Sequence, residues 1–277
     1  MKKPIVVSIV NHKGGVGKTT SVINLSAVIA DSPKLRKIKK KVLVIDFDHQ
    51  ANATLVLYRK CDGESSIYHK LLEYSGITIT HDSQEYPMDV LVKPSTIENV
   101  DIFPANSLVS TAEYELLNAT SRETILKRII NHNQDFLSQY AYILIDCPPS
   151  LGVLTTNAII ASDYLLIPLD ASLFSMEGVS ILDKTILRLQ KLFDIHTSIA
   201  GMFFVRYQPL ESVHKEAKEL MRREKGDLLL EQSIRKNTEI EKATYHKQPV
   251  ITYSPTSLGS RNYQALGREF LKRTFKK

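Results

Sequence analysis

Five short aliphatic runs constrain this chain more than anything else in it. They are Ile5-Val6-Val7-Ser8-Ile9-Val10, Val42-Leu43-Val44-Ile45, Tyr142-Ile143-Leu144-Ile145, Tyr164-Leu165-Leu166-Ile167-Pro168 and Ile199 to Val205. A strand that is apolar at nearly every position is buried on both faces, and a mostly parallel sheet with helices on both sides buries strands in that way. Met88 to Val92 and Val100 to Phe103 read as two further strands. Helical patterns fall between them: Thr19 to Ala30, Ser107 to Asn118, a stretch opening at Ser121 with Glu123 and Thr124 in its first turn, Met176 to Leu192, and Gly259 to Phe275. The expected fold is therefore α/β, a mostly parallel twisted sheet with helices on both faces. Hydrophobic residues make up 43% of the 277, enough for a substantial core. No linker, repeat or break interrupts the pattern, so residues 1–277 are expected to form a single domain, with no helix-turn-helix domain before the first strand. Asp31 to Lys41 reads as a solvated basic connection.

Several classes are disfavoured. No run of about 18 uncharged apolar residues is present, so no membrane-spanning helix is expected. The start, Met1 to Val7, is basic then apolar like a signal peptide, but Asn11-His12-Lys13 ends the run and no small-residue cleavage site follows. Cys61 and Cys147 are far apart and outside any metal-ligand spacing, which points to a reducing cytoplasm, with Cys147 a small buried thiol. The net charge of +6 is unevenly placed. Residues 1–214 hold 21 Lys+Arg against 22 Asp+Glu, whereas residues 215–277 hold 15 against 8. Such a local surplus suits a polyanionic partner, nucleic acid or an acidic membrane, with a merely solvated face as the plain alternative.

The first strand leads into Asn11-His12-Lys13-Gly14-Gly15-Val16-Gly17-Lys18-Thr19-Thr20 and then into a helix. That is the context of a phosphate-binding loop. Glycines let backbone N–H groups close round phosphates, and the helix N-terminus adds partial positive charge. Gly14, Gly15, Val16, Gly17, Lys18, Thr19 and Thr20 are the expected nucleotide contacts, with Lys18 on the β- and γ-phosphates and the Thr19 hydroxyl on Mg²⁺. His12 stands where the usual pattern has its first glycine, and Lys13 precedes the glycine pair. One ATP in one subunit does not need a second lysine. Its physical use is to supply charge to a neighbour's nucleotide, as an arginine finger does.

KGGVGKTT resembles the deviant P-loop of the ParA/MinD ATPases, a family of P-loop NTPases, and the resemblance continues along nearly the whole chain. It implies ATP and Mg²⁺ as cofactors, and a sandwich homodimer in which Lys13 reaches the partner's ATP. It also implies slow ATP hydrolysis stimulated by a ParB-like partner, and non-specific DNA binding by a cytoplasmic, nucleoid-associated protein that positions plasmid or chromosome cargo. Val42 to Thr54 resembles the family's "DxDPQxNAT" segment, which makes Asp46 the switch I carboxylate that positions water and a metal-site residue. His49 replaces the family's proline. Asp146 ends a strand in "DCPPS", the family's switch II, and would hold Mg²⁺, often through water. No Asn-Lys-x-Asp guanine motif occurs, so GTP is disfavoured. Arg206 and the Pro249 to Pro255 stretch are the adenine candidates.

For DNA, Lys215, Lys218, Arg222 and Arg223 lie on one expected helix, the first three sharing a face. Glu216, Glu219 and Glu224 leave a salt-bridged exposed helix as the alternative. Arg235, Lys236 and Lys242 fall in a segment resembling the family's "IPRNVRLSEAPS", where Glu239 replaces a second basic residue. A rival reading takes Glu269 to Lys277 as a MinD-like amphipathic membrane tail with Phe270, Leu271 and Phe275 on its apolar face. Another makes the chain a ParA-like positioner of non-DNA cargo. Nitrogenase-like iron proteins need paired cluster cysteines that Cys61 and Cys147 do not match, and dethiobiotin-synthetase-like ligases lack the first P-loop lysine.

Overall fold

The computed structural model describes residues 3–60, 66–77, 86–171 and 173–275, without the side chains of 173–177. Cys61 lies outside the described residues. Seven strands form one sheet in the order β3-β4-β2-β5-β1-β6-β7. They are β1 (Ile5–Ile9), β2 (Lys41–Asp46), β3 (Lys93–Pro94), β4 (Val100–Phe103), β5 (Tyr140–Asp146), β6 (Tyr164–Leu169) and β7 (Ser198–Phe204). All neighbours run parallel except β3, which pairs antiparallel with β4 at the edge. Each of the five aliphatic runs is a strand, and all seven residues of β5 are buried.

Two apolar layers account for this. On one face Leu43, Ile143, Ile145 and Leu165 pack beneath Ile129, Ile159, Leu182 and Met221. On the other, Val7, Val44, Leu144 and Leu166 pack beneath Val22, Leu25, Tyr263 and Leu266. Alternate residues of one strand thus feed opposite layers, the period-two geometry of a doubly covered sheet. The edge strand β7 is covered by its own downstream chain: Leu230 N donates to Met202 O at 2.7 Å and Ile234 N to Phe204 O at 2.8 Å. This protects an open edge and carries residues 234–237 up to the phosphate loop.

The structure differs from the sequence expectations in three places. Met88–Leu91 is one helical turn rather than a strand. Asp89 interrupts the apolar run, and Pro87 precedes the turn with its carbonyl accepting from Leu91 N at 3.1 Å. Within the supposed loop Asp31 to Lys41, Pro33–Ile38 is helical, with Ser32 as N-cap, Pro33 in the first turn and Leu35 wholly buried as its anchor. The last helix, Leu258–Thr274, offers no apolar face to a membrane: Phe270 is 1% and Leu271 5% exposed, and Phe275 stacks on Tyr142 with ring centroids 6.5 Å apart. The amphipathic-tail reading of this segment is therefore corrected. Its apolar residues are already used in packing, with Gly267 set so closely that a Cβ there would meet Val28 Cγ1 at 2.5 Å. No helix among the described residues is long and apolar enough to cross a membrane.

Candidate nucleotide-binding site

β1 lies between β5 and β6, so the loop leaving it emerges at the carboxyl edge of the sheet, where ligands of open α/β folds bind. Gly15 and Gly17 both take φ of +71°, a left-handed conformation that a side chain rarely adopts. Val16 is fully buried and pins the loop from below. Asn11 fixes its entry: its Nδ2 donates to Pro168 O at 2.8 Å and its Oδ1 accepts from Lys13 N at 2.9 Å. The helix Lys18–Ala30 starts at the loop's end with Gly17 as N-cap, so its first N–H groups face the loop.

The two lysines point to different places. Lys18 is 6% exposed and its Nζ donates to Lys13 O at 3.0 Å, folded across its own loop. Burial lowers its pKa, and Asp146, Cys147 and Asp48 oppose that shift. Lys13 instead turns outward from the loop. Its Nζ meets Asp170 Oδ2 at 2.6 Å, and its side chain is 31% exposed. Asp170 follows β6 directly and also draws Arg206, whose guanidinium lies 3.9 Å away and donates to Gly15 O.

Behind the loop stand the strand-end carboxylates. Asp46 and Asp146 are register partners on β2 and β5 and both are wholly buried. Burial raises the Asp146 pKa well above the usual carboxylate range and Asp46 raises it further, while the Thr19 hydroxyl and Lys18 pull it down. Both Asp146 oxygens are buried without a hydrogen-bond partner of good geometry. An orphaned carboxylate beside a P-loop threonine fits a hydrated Mg²⁺, which takes one or two carboxylates together with substrate phosphates.

Asp46 is engaged by its own following loop. One oxygen accepts from Thr54 N at 2.8 Å and Thr54 Oγ1 at 2.7 Å, and the other from Asp48 N at 3.3 Å. A carboxylate so engaged anchors the following loop and the helix Asn52–Leu57, with three of its about four acceptor sites used. Asp48, which sequence reasoning passed over, is 8% exposed, accepts from Gln50 N at 3.0 Å, and lies close enough to Lys18 and Asp146 to shift both. The signal was present in the Asp-x-Asp spacing, and for Asp170 in the same rule of an acid at a parallel strand end.

Burial, with a smaller push from the Asp48 charge and against the hydrogen bonds from Thr54 and Asp48 N, raises Asp46 from 3.8 to about 6. A raised acid binds more protons folded than unfolded between those values, so stability falls as pH rises through that window. Asp46→Asn removes this contribution. In chemical denaturation of the nucleotide-free protein, the difference between variant and wild type is expected to move toward the variant from pH 3.8 to about 6 and then level off. Movement toward the wild type would contradict the assignment.

The adenine candidates divide. Arg206 lines a cavity of about 350 Å³ with Gly17, Thr20, Ile234, Asn237 and Tyr263, directly beside the helix start. Pro249 and Pro255 do not line it. Pro249 instead precedes the turn Val250–Tyr253, whose Val250 N donates to Asn24 Oδ1 at 2.7 Å, bracing the phosphate-loop helix from behind. Arg235 and Lys236, nominated for DNA, line this same cavity. The helix Ser212–Lys225 carries Lys215, Lys218, Arg222 and Arg223 as expected. Arg222, however, makes a two-pronged pair with Glu231 (2.6 and 3.0 Å), and Lys218 donates to Glu231 O and Ser233 Oγ. Lys242 pairs with Glu239 at 2.8 Å. Cys147 is buried and its thiol pKa is pushed up by burial, as a structural thiol.

Fold and loop together define an α/β protein of the P-loop nucleoside-triphosphate-binding class. The family described as AAA domain matches residues 4–199. The chain is 35% identical over 265 residues to the sporulation initiation inhibitor protein Soj of Bacillus subtilis, covering 95% of this chain and 97% of that one. It is 34% identical over 271 residues to the chromosome-partitioning ATPase Soj of Treponema pallidum, covering 95% and 96%. An ATP complex of Cyanothece McdA carrying an Asp-to-Ala substitution superposes with a TM-score of 0.82 over 98% of each chain at 20% identity, a likeness of fold. The chain belongs to the Soj/ParA family of P-loop ATPases.

Proposed function

We propose that this chain is an ATP-driven switch for DNA partitioning. It would bind ATP with Mg²⁺, close into a sandwich homodimer, hold DNA without sequence preference on the nucleoid in the cytoplasm, and let go on hydrolysis stimulated by a ParB-like partner. The observation that carries this reading is the divergence of the two loop lysines. Lys18 lies over its own loop, while Lys13 turns to Asp170 with its side chain partly exposed. A second lysine placed outside its own phosphate cradle suits delivery to a facing subunit.

In this reading the backbone of Gly14 to Thr19 cradles the phosphates, Lys18 binds the β- and γ-oxygens, and Thr19 with Asp146 holds the metal. Magnesium, when bound, neutralises charge on the β- and γ-phosphates. Asp48 orients the attacking water from the rim, and Asp46 holds the loop that carries Asp48. Phosphoryl transfer asks chiefly for such placement. Two dimerised subunits present two DNA-binding surfaces, so retention rises by avidity and is lost when the dimer dissolves.

Sedimentation with an uncleavable ATP analogue and magnesium, with and without duplex DNA and at varied salt, tests the proposal. The expected result is a nucleotide-dependent dimer that co-sediments with DNA at low salt and releases it at high salt. A chain that stays a single subunit under saturating nucleotide overturns the reading. A dimer indifferent to DNA at every salt concentration favours a positioner of other cargo.

A further inference from the structure

Of the seven cations the sequence nominates for DNA, Lys218, Arg222 and Lys242 are held by Glu231, Ser233 or Glu239, Arg235 and Lys236 line the nucleotide-side cavity, and Lys215 and Arg223 remain exposed. A set that was not nominated lies on the long helix Leu173–Phe193. Lys184, Arg188 and Lys191 are all exposed, and none has an acidic partner among the described residues. Of the two nearest acids among the described residues, Asp183 is taken by Lys225 of the adjoining helix, and Asp194 lies just past the helix end. At 3.6 residues per turn the three cations fall within about 60° of arc and span about 10 Å along the axis. Duplex DNA presents about six phosphates over that length.

We propose that this ridge is a phosphate-contacting surface for DNA, a proposal that rests on the partitioning reading. Two physical points support it. Its three charges have no acidic partner among the described residues, whereas on the neighbouring helix Arg222 and Lys225 are paired with Glu231 and Asp183 and Lys218 is held by Glu231 O and Ser233 Oγ, and cations already engaged within the protein release fewer counterions when they meet phosphates. The arrangement across the helix also favours a polyanion over a bilayer. The cations occupy the middle of the outward face, while Ile181, Leu187 and Leu192, at 49%, 65% and 62% exposure, lie on its flanks. A helix that enters a lipid interface needs its apolar residues in the middle.

The test is titration of a fluorescent non-specific duplex with the full-length protein, uncleavable ATP analogue and magnesium, over a salt series. Lys184→Ala/Arg188→Ala/Lys191→Ala is expected to keep nucleotide-dependent dimerisation, which reports intact folding. It should weaken DNA binding at least tenfold, and make the log–log salt dependence shallower by about 2 to 3. Lys218→Ala/Arg222→Ala is expected to change that slope by less than about one, and Leu187→Ser/Leu192→Ser to leave DNA affinity unchanged. A triple variant that binds DNA like wild type overturns this proposal while leaving the partitioning function standing. A wild type that ignores DNA at low salt overturns the partitioning reading itself. Wild-type binding to phosphatidylserine vesicles that the triple variant loses, with DNA binding retained, assigns the ridge to lipid and overturns the proposal.

Discussion

Alanine at Lys13 is expected to leave one-subunit ATP binding within about threefold of wild type, less than 1 kcal/mol, while abolishing the nucleotide-dependent dimer. The ammonium lies on Asp170, away from the cradle that Lys18 spans, so its loss removes little from the protein's own nucleotide. What disappears is a charge for a facing subunit, and a cation supplied in trans to a transferring phosphoryl group is worth about 10³ to 10⁵ in rate. Hydrolysis is therefore expected to fall by at least about 10³. Sedimentation velocity with the uncleavable analogue and equilibrium binding of a fluorescent ATP read the two effects separately. Asp170→Asn is the control: it breaks the same ion pair but leaves the lysine charge available, so its dimer is expected to persist. Dimerisation of Lys13→Ala at wild-type concentration would remove the basis for a role in trans.

The second large effect concerns which aspartate does chemistry. Asp48→Ala is expected to lower phosphate release by about 10² to 10³, the usual loss when one group that places or activates a reactant is removed. Nucleotide binding and the dimer are expected to remain, so the variant should be trapped on DNA. Asp46→Ala should act through stability instead. It strips the acceptor from Thr54 N and Thr54 Oγ1 in a wholly buried setting, at a cost of about 1–3 kcal/mol for donors left unpaired. Phosphate-release kinetics and chemical denaturation on both variants distinguish the roles. Wild-type turnover in Asp48→Ala, with a rate collapse in a stably folded Asp46→Ala, would return the catalytic role to Asp46.

These two aspartates show where sequence reading stops. Both lie at the carboxyl end of a strand, two residues apart, and spacing alone brings both near the ligand crevice. In the proposed reading the choice between them rests on Thr54, eight residues beyond Asp46, which folds back to bond the Asp46 carboxylate. The cavity beside the loop is similar. Arg206 lines it from just past the end of β7, but Ile234 and Asn237 reach it only because their segment runs along the β7 edge. Lys218 and Arg222 were correctly placed on one helical face by their spacing. Both are engaged by Glu231, outside that helix, whose carboxylate neutralises Arg222 and whose backbone carbonyl accepts from Lys218, so the Glu residues within the helix gave no warning of it.

By itself the sequence determined the layered sheet, the phosphate loop and the position of every strand but the two-residue edge strand β3. Those features depend on local periodicity and on glycines that alone tolerate the loop's backbone. Tertiary structure decided which carboxylate is free, which cations remain unpaired, and that the C-terminal aromatics are core rather than anchor. Each of those depends on partners distant in the chain, and charge or exposure is a property of what a side chain finally meets.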